Sequence, residues 1–98
     1  MPKEPVCILL PDGKVRKGNK VPDIGSEDLL RIYRVMLLNR RLDERMIKLQ
    51  RQGRIGFYVG SVGEEASIIG ATFALEETDW IFPCYREVGS LLLRGFPL

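Results

Sequence analysis

Residues 26–53 read SEDLLRIYRVMLLNRRLDERMIKLQRQG, and this stretch decides the fold. Ile32, Val35, Leu38, Leu42, Met46 and Leu49 recur at steps of three and four, the spacing that keeps side chains on one face of an α-helix. Ser26 is a good N-cap, Glu27 and Asp28 suit the positive end of a helix dipole, and Gly53 supplies a C-terminal stop. One helix from Ser26 to Gln52 is therefore expected, about 40 Å long at a rise of about 1.5 Å per residue. Its two halves differ. Leu29, Leu30, Ile32, Tyr33, Val35, Met36, Leu37 and Leu38 make the first half apolar nearly all round, whereas the second carries a narrower stripe, with pairs expected between Arg40 and Glu44 and between Glu44 and Lys48. The first half must be covered on several sides.

Outward from this helix, residues 1–25 are rich in Pro, Gly and Lys, and ILLPDGKV at 8–15 is a turn signal between short apolar pieces. An extended arm with one hairpin is expected there. On the C-terminal side, a shorter helix is expected to open at Gly63, with Glu64 and Glu65 placed in its first turn by the dipole, and to run to about Leu75. A second short helix should run from about Arg86 to Arg94, stopped by Gly95 and Pro97. The fold class is thus mostly α: an arm over 1–25 and a helical part over 26–98. Together with SIIGATFAL and SLLLRG, the long helix presents more apolar face than such short partners can cover, so the chain reads as part of something larger.

With 45% hydrophobic and 29% charged residues, the composition is that of an ordinary globular protein. The 15 basic and 13 acidic residues are too balanced to imply nucleic acid or an anionic membrane surface as a bulk partner, so any anion site must be local. An RNA-binding reading would use Arg31, Arg34, Arg40, Arg41, Arg45 and Arg51, but acids are interleaved among them. No span of about 20 apolar residues is available for a membrane helix. Histidine is absent, and Cys7 and Cys84 lie far apart, which leaves neither zinc spacing nor a histidine base. Two free thiols suit a reducing compartment: the cytoplasm, or a mitochondrial matrix after removal of a transit peptide.

One dipeptide carries chemistry. In FPCYREVGSLLLRG, residues 82–95, Tyr85 and Arg86 stand just before a short apolar run. A guanidinium matches phosphate oxygens with a planar fork, a phenol adds a donor, and a helix start adds backbone N–H groups, so the group could clamp a phosphate. On the dipeptide alone, an aromatic anchor beside a solvated Arg86–Glu87 pair is the favoured reading.

The succession RQGRIGFY, GEEA, DWIFPCYRE and RGFPL, in that order and at these intervals, resembles the N-terminal part of the alpha subunit of the thiamine-diphosphate-dependent decarboxylating component of 2-oxo acid dehydrogenase complexes. The resemblance covers roughly Ser26 to Leu98. It implies an α/β parent fold, oxidative decarboxylation of a 2-oxo acid, and transfer of the acyl group to lipoyl-lysine on an acyltransferase. It also implies a beta subunit as partner, in a heterotetramer of two alpha and two beta subunits. By the same resemblance Tyr85 and Arg86 lie against the cofactor's diphosphate, with Cys84 contributing a backbone contact at most, because a thiol is a poor donor. Phe57 and Tyr58 resemble residues bordering the substrate end, although an aromatic pair after a glycine is as often core. No catalytic residue is implied in this stretch.

Departures from the family pattern matter as well. VGSVGEE at 59–65 stands where pyruvate-type members often carry a histidine, which tilts the expected substrate toward branched-chain 2-oxo acids. The family's GDG…N motif, whose Asp and Asn hold Mg²⁺, does not occur up to Leu98, so metal ligands are expected outside this stretch and the stretch alone should be inactive. A non-catalytic helical module that docks on another subunit is the alternative.

Overall fold

The computed structural model describes residues 5–98. Three helices follow one another: α1 over Ser26–Arg51, α2 over Glu65–Phe73 and α3 over Val88–Leu93. Each packs on the other two. Before α1, residues 5–25 hold an antiparallel bridge between Leu9 and Val15 around a turn at Gly13, where Lys14 donates its N–H to Asp12 Oδ1 at 3.0 Å. The expected hairpin is reduced to this single rung, and the helical fold class holds. Residues 1–4 of the expected arm lie outside the described residues.

Helix boundaries shift from the sequence expectation for local reasons. Ser26 is the first helical residue, not the cap; Gly25 occupies the cap position in extended backbone, and its carbonyl accepts from Leu29 N–H at 3.0 Å. The second helix starts at Glu65 because Gly63 has φ +90°, in the left-handed region that an α-helix does not use. It ends at Phe73, before Leu75. The third starts at Val88, since Cys84 to Glu87 form a turn in which Glu87 N–H donates to the Cys84 carbonyl at 3.2 Å. Both expected glycine stops are realised. Gly53 and Gly95 have φ +69° and +82°, and each lets the next N–H turn back onto the last helical turn: Arg54 to Leu49, Phe96 to Leu91.

The centre of the packing is where the three helices meet. Ile69 of α2 is fully buried, and a Cβ on Gly89 of α3 would come 3.0 Å from its Cγ1 and 3.5 Å from Asn39 Nδ2 of α1. Gly89 is therefore the small residue that lets α3 approach both neighbours. Next to it, the Thr72 and Ser90 hydroxyls share a 2.8 Å hydrogen bond between α2 and α3. Arg31 of α1 donates to the Leu93 carbonyl at 3.2 Å, and Arg94 donates to the carbonyls of Glu76 and Glu77, so the C-terminal end of α3 is tied to the other two elements.

The inward face of α1 differs from the expected stripe at one position that matters. Ile32, Val35, Leu42, Met46 and Leu49 are partly buried as expected, but Leu38 is exposed and the fully inward positions are Asn39 and Asp43. At 3.6 residues per turn, Val35 leads to Asn39 and Asp43 rather than to Leu38. Among the described residues, Ile69 and Leu93 are the buried apolar side chains, whereas Leu29, Leu30, Tyr33, Leu37 and Leu38 of α1 are exposed. No helix here is long and apolar enough to cross a membrane.

Candidate functional site

Two loops enter the short helices side by side. Residues 53–64 lead into α2, and residues 82–87 lead into α3. Their closeness places Phe57 against Tyr85, ring centroids 6.3 Å apart and edge-on at 71°. It also places Arg86 Nη1 3.8 Å from Glu64 Oε1. Phe57 and the Tyr85–Arg86 pair, proposed from different parts of the sequence, thus form one accessible cluster.

Within it, the polar groups are unequal. Tyr85 is exposed and its hydroxyl makes no hydrogen bond among the described residues. Arg86 has a long, half-exposed contact to Glu64, a geometry that contributes little on its own, and its guanidinium lies over the Tyr85 ring at 6.0 Å. Cys84 differs: its N–H donates to Glu87 Oε2 at 2.6 Å, so the backbone donor expected of it is already engaged, and its thiol is exposed and free. The short α3, six residues long, adds little dipole of its own. What the cluster offers an anion is one guanidinium and one phenol, both open to solvent and aimed from a single turn. That donor set fits the terminal oxygens of a phosphate or diphosphate.

Tyr58 turns the other way. Its hydroxyl donates to Asp43 Oδ1 on α1, and burial, reinforced by that hydrogen bond, pushes the phenol well above its usual pKa. Asp43 is 1% exposed and collects two more donors on Oδ2, Ser61 N–H at 2.8 Å and Ser61 Oγ at 3.2 Å. Asn39, also buried, donates to Ser61 Oγ at 2.7 Å. Further along α1, the Gln50 amide can meet the Tyr58 backbone on both sides, donating to its carbonyl at 3.1 Å and accepting from its N–H at 3.3 Å. Gly60 sits between these contacts because a Cβ there would fall 3.1 Å from Asp43 Cγ.

A second tether holds the same loop one turn later. Arg40 pairs with Glu65, not with Glu44, and Glu65 Oε2 accepts from Gly63 N–H at 2.8 Å. Glu44 pairs instead with Arg41 at 3.0 Å, and no Glu44–Lys48 pair occurs among the described residues. The side chain of Glu65 is buried, and its hydrogen bond to Arg40, opposed by desolvation and aided by backbone N–H groups, holds its carboxyl down to about 2. The dipole reading therefore understates Glu65: it is a buried tie between α1 and the loop. Glu64, its neighbour, is the exposed one that faces Arg86.

Asp43, Asn39, Ser61 and Gln50 were not singled out by sequence reasoning. Asn39 and Asp43 lie at the inward positions of the helical period, and a polar residue on an otherwise apolar face was the available signal. A cleft of about 700 Å³ elsewhere, lined by Arg31, Phe73, Trp80, Leu91, Arg94 and Phe96, offers less for an anion, because both its arginines donate to backbone carbonyls.

Comparison with known proteins identifies the family. The family model described as dehydrogenase E1 component matches residues 33–98, the span that holds every residue of the cluster and both tethers. The pyruvate dehydrogenase E1 component subunit alpha of Staphylococcus epidermidis is 44% identical over 95 residues, covering 97% of this chain and 26% of its own length. The protein of the same name from Staphylococcus aureus is 43% identical over the same extent. The chain thus spans about a quarter of the length of these curated relatives. A match over two thirds of the chain, which takes in both loops, α2, α3 and most of α1, makes the chain a member of the dehydrogenase E1 component family.

Proposed function

We propose that this chain is the N-terminal part of an alpha subunit which, assembled with a beta subunit as a heterotetramer of two of each, oxidatively decarboxylates a 2-oxo acid with thiamine diphosphate. The acyl group then passes to the lipoyl-lysine of an acyltransferase. The observation that carries this reading is the pairing of the Phe57 loop with the Tyr85–Arg86 turn, which leaves a phenol and a guanidinium, the latter held only loosely by Glu64, on an accessible surface. The cofactor, when bound, supplies the electron sink for decarboxylation, and the protein's share is binding and orientation. Arg86 would bind the diphosphate through its fork and Tyr85 through its hydroxyl, with Cys84 beside them. Phe57 would border the substrate end. Tyr58 would support it from behind, since its own hydroxyl is committed to Asp43. Mg²⁺ would be held by residues outside this stretch.

The substrate is proposed as pyruvate, after the names of the Staphylococcus relatives, with a branched-chain 2-oxo acid second because VGSVGEE lacks a histidine. Comparing kcat/KM for pyruvate and 3-methyl-2-oxobutanoate in the assembled enzyme decides between them. The site is tested by Arg86→Ala in the full-length assembly. Loss of a charge-assisted contact should weaken thiamine diphosphate binding by about 1.5–3 kcal/mol, and Arg86→Lys should recover only part of it. An unchanged apparent cofactor constant at saturating Mg²⁺ would falsify the assignment.

A further inference from the structure

Burying a carboxylate is costly unless donors replace the water it loses, and Asp43 is buried without a Lys or Arg in ion-pair contact among the described residues. An apolar side chain on that face of α1 would bury more cheaply. What the carboxylate provides instead is direction: its two oxygens receive Tyr58 Oη on one side and Ser61 N–H and Oγ on the other, and these donors lie on a single four-residue segment. Such a set of bonds is satisfied in one register of the segment against the helix and broken by a slip of one residue. Asn39, one turn before Asp43, and Gln50, two turns after it, hold the same segment.

The aromatic residue just before this segment is Phe57, an exposed ring that meets Tyr85 edge-on. Holding Tyr58 limits where the neighbouring Phe57 can lie, and Tyr85 packs edge-on against its ring. We infer that Asp43 is a positioning residue for the anion-binding turn: through Tyr58 and Ser61 it sets Phe57, and through Phe57 it orients Tyr85 and its neighbour Arg86. This rests on the proposed diphosphate role of Tyr85 and Arg86 and adds to it a residue on a different helix that touches neither cofactor nor substrate.

The test measures thiamine diphosphate binding directly, by quenching of intrinsic tryptophan fluorescence in the full-length alpha–beta assembly at saturating Mg²⁺. Asp43→Asn keeps the shape but puts an amide where two donors converge, and Tyr58→Phe removes a single donor and leaves the ring. Asp43→Asn should raise the dissociation constant about tenfold and Tyr58→Phe several-fold. In a Phe57→Ala background, where the relay is already cut, Asp43→Asn should raise it less than twofold further. The same factor in both backgrounds, or no change with either variant, overturns the inference, because a general loss of packing would not depend on Phe57. Arg86→Ala separates this from failure of the underlying reading. If it weakens binding while the Asp43→Asn effect is independent of Phe57, only the positioning role falls; if it changes nothing, the diphosphate site falls and the positioning role with it.

Discussion

The two halves of α1 reverse the usual relation between polarity and burial. From Leu29 to Leu38 the helix is rich in leucine, yet Leu29, Leu30, Tyr33, Leu37 and Leu38 face solvent in this chain. From Asn39 to Arg51 it is rich in charge, yet its fully inward residues are Asn39 and Asp43. Apolar surface leaves water only if something covers it, and neither α2 nor α3 extends over the first half far enough to do so. A polar side chain can be buried if its partners are placed to meet it, and the 58–61 segment supplies them for Asp43 through Tyr58 and Ser61 and for the Asn39 amide nitrogen through Ser61 Oγ. Burial in this fold is thus set by which segment lies opposite, not by the hydropathy of the helix face.

The comparison can be broken most severely at the junction that docks the second half. Ile69→Ala should cost about 2–5 kcal/mol, since it empties the fully buried position between Asn39 and Gly89 and few other apolar contacts compensate. Urea unfolding followed at 222 nm reads this as a lower midpoint or as loss of a cooperative transition. A shift below about 0.5 kcal/mol would show that the junction contributes no more than an ordinary surface position.

Acid sharpens the contrast, because only the second half is tied by carboxylates. Glu65 titrates at about 2 in the fold against an ordinary 4.5, mainly through its hydrogen bond to Arg40. A depressed carboxyl favours the folded state above its unfolded value, so this contribution is complete above 4.5 and is lost as pH falls toward 2. Helicity of the wild type should drop across that window, and Glu65→Gln should lower helicity at neutral pH while flattening the drop. A wild-type curve that stays level down to pH 2 would rule out the tie.

The smallest effect on stability belongs to the first half. Leu30→Ser with Leu37→Ser should change unfolding free energy by less than about 1 kcal/mol, since each side chain is already about half exposed. Its effect on association should be plain: the unmodified chain should sediment as an associated or aggregating species, and the double variant as a smaller one. A sharp monomer for the unmodified chain would remove the claim that this face seeks a cover.

The long helix was legible because its period runs through more than six turns and Gly53 closes it without ambiguity. The short helices were legible in number and order, but their first residues were not. Glu64, Arg86 and Glu87 look like helix openers by charge, and turns at Gly63 and Cys84 displace them by one or two positions. The pair Tyr85–Arg86 was weak evidence on its own, and only the family resemblance turned it into a proposed cofactor contact. Phe57 was named with Tyr58 as one unit, yet the structure sends their side chains in opposite directions.

By itself, then, the sequence determined the helical content, the glycine stops and the surplus of apolar surface. Each of these depends on residues close along the chain, where backbone geometry and side-chain period are enough. Only the tertiary structure decided that Arg40 pairs with Glu65 across 25 positions rather than with Glu44 one turn away. The same holds for Asp43, which reads as one more surface charge until Tyr58 and Ser61 converge on it from 15 and 18 residues away. A hydrogen bond between distant residues depends on where two backbones come to lie, and no local pattern in either segment encodes that distance.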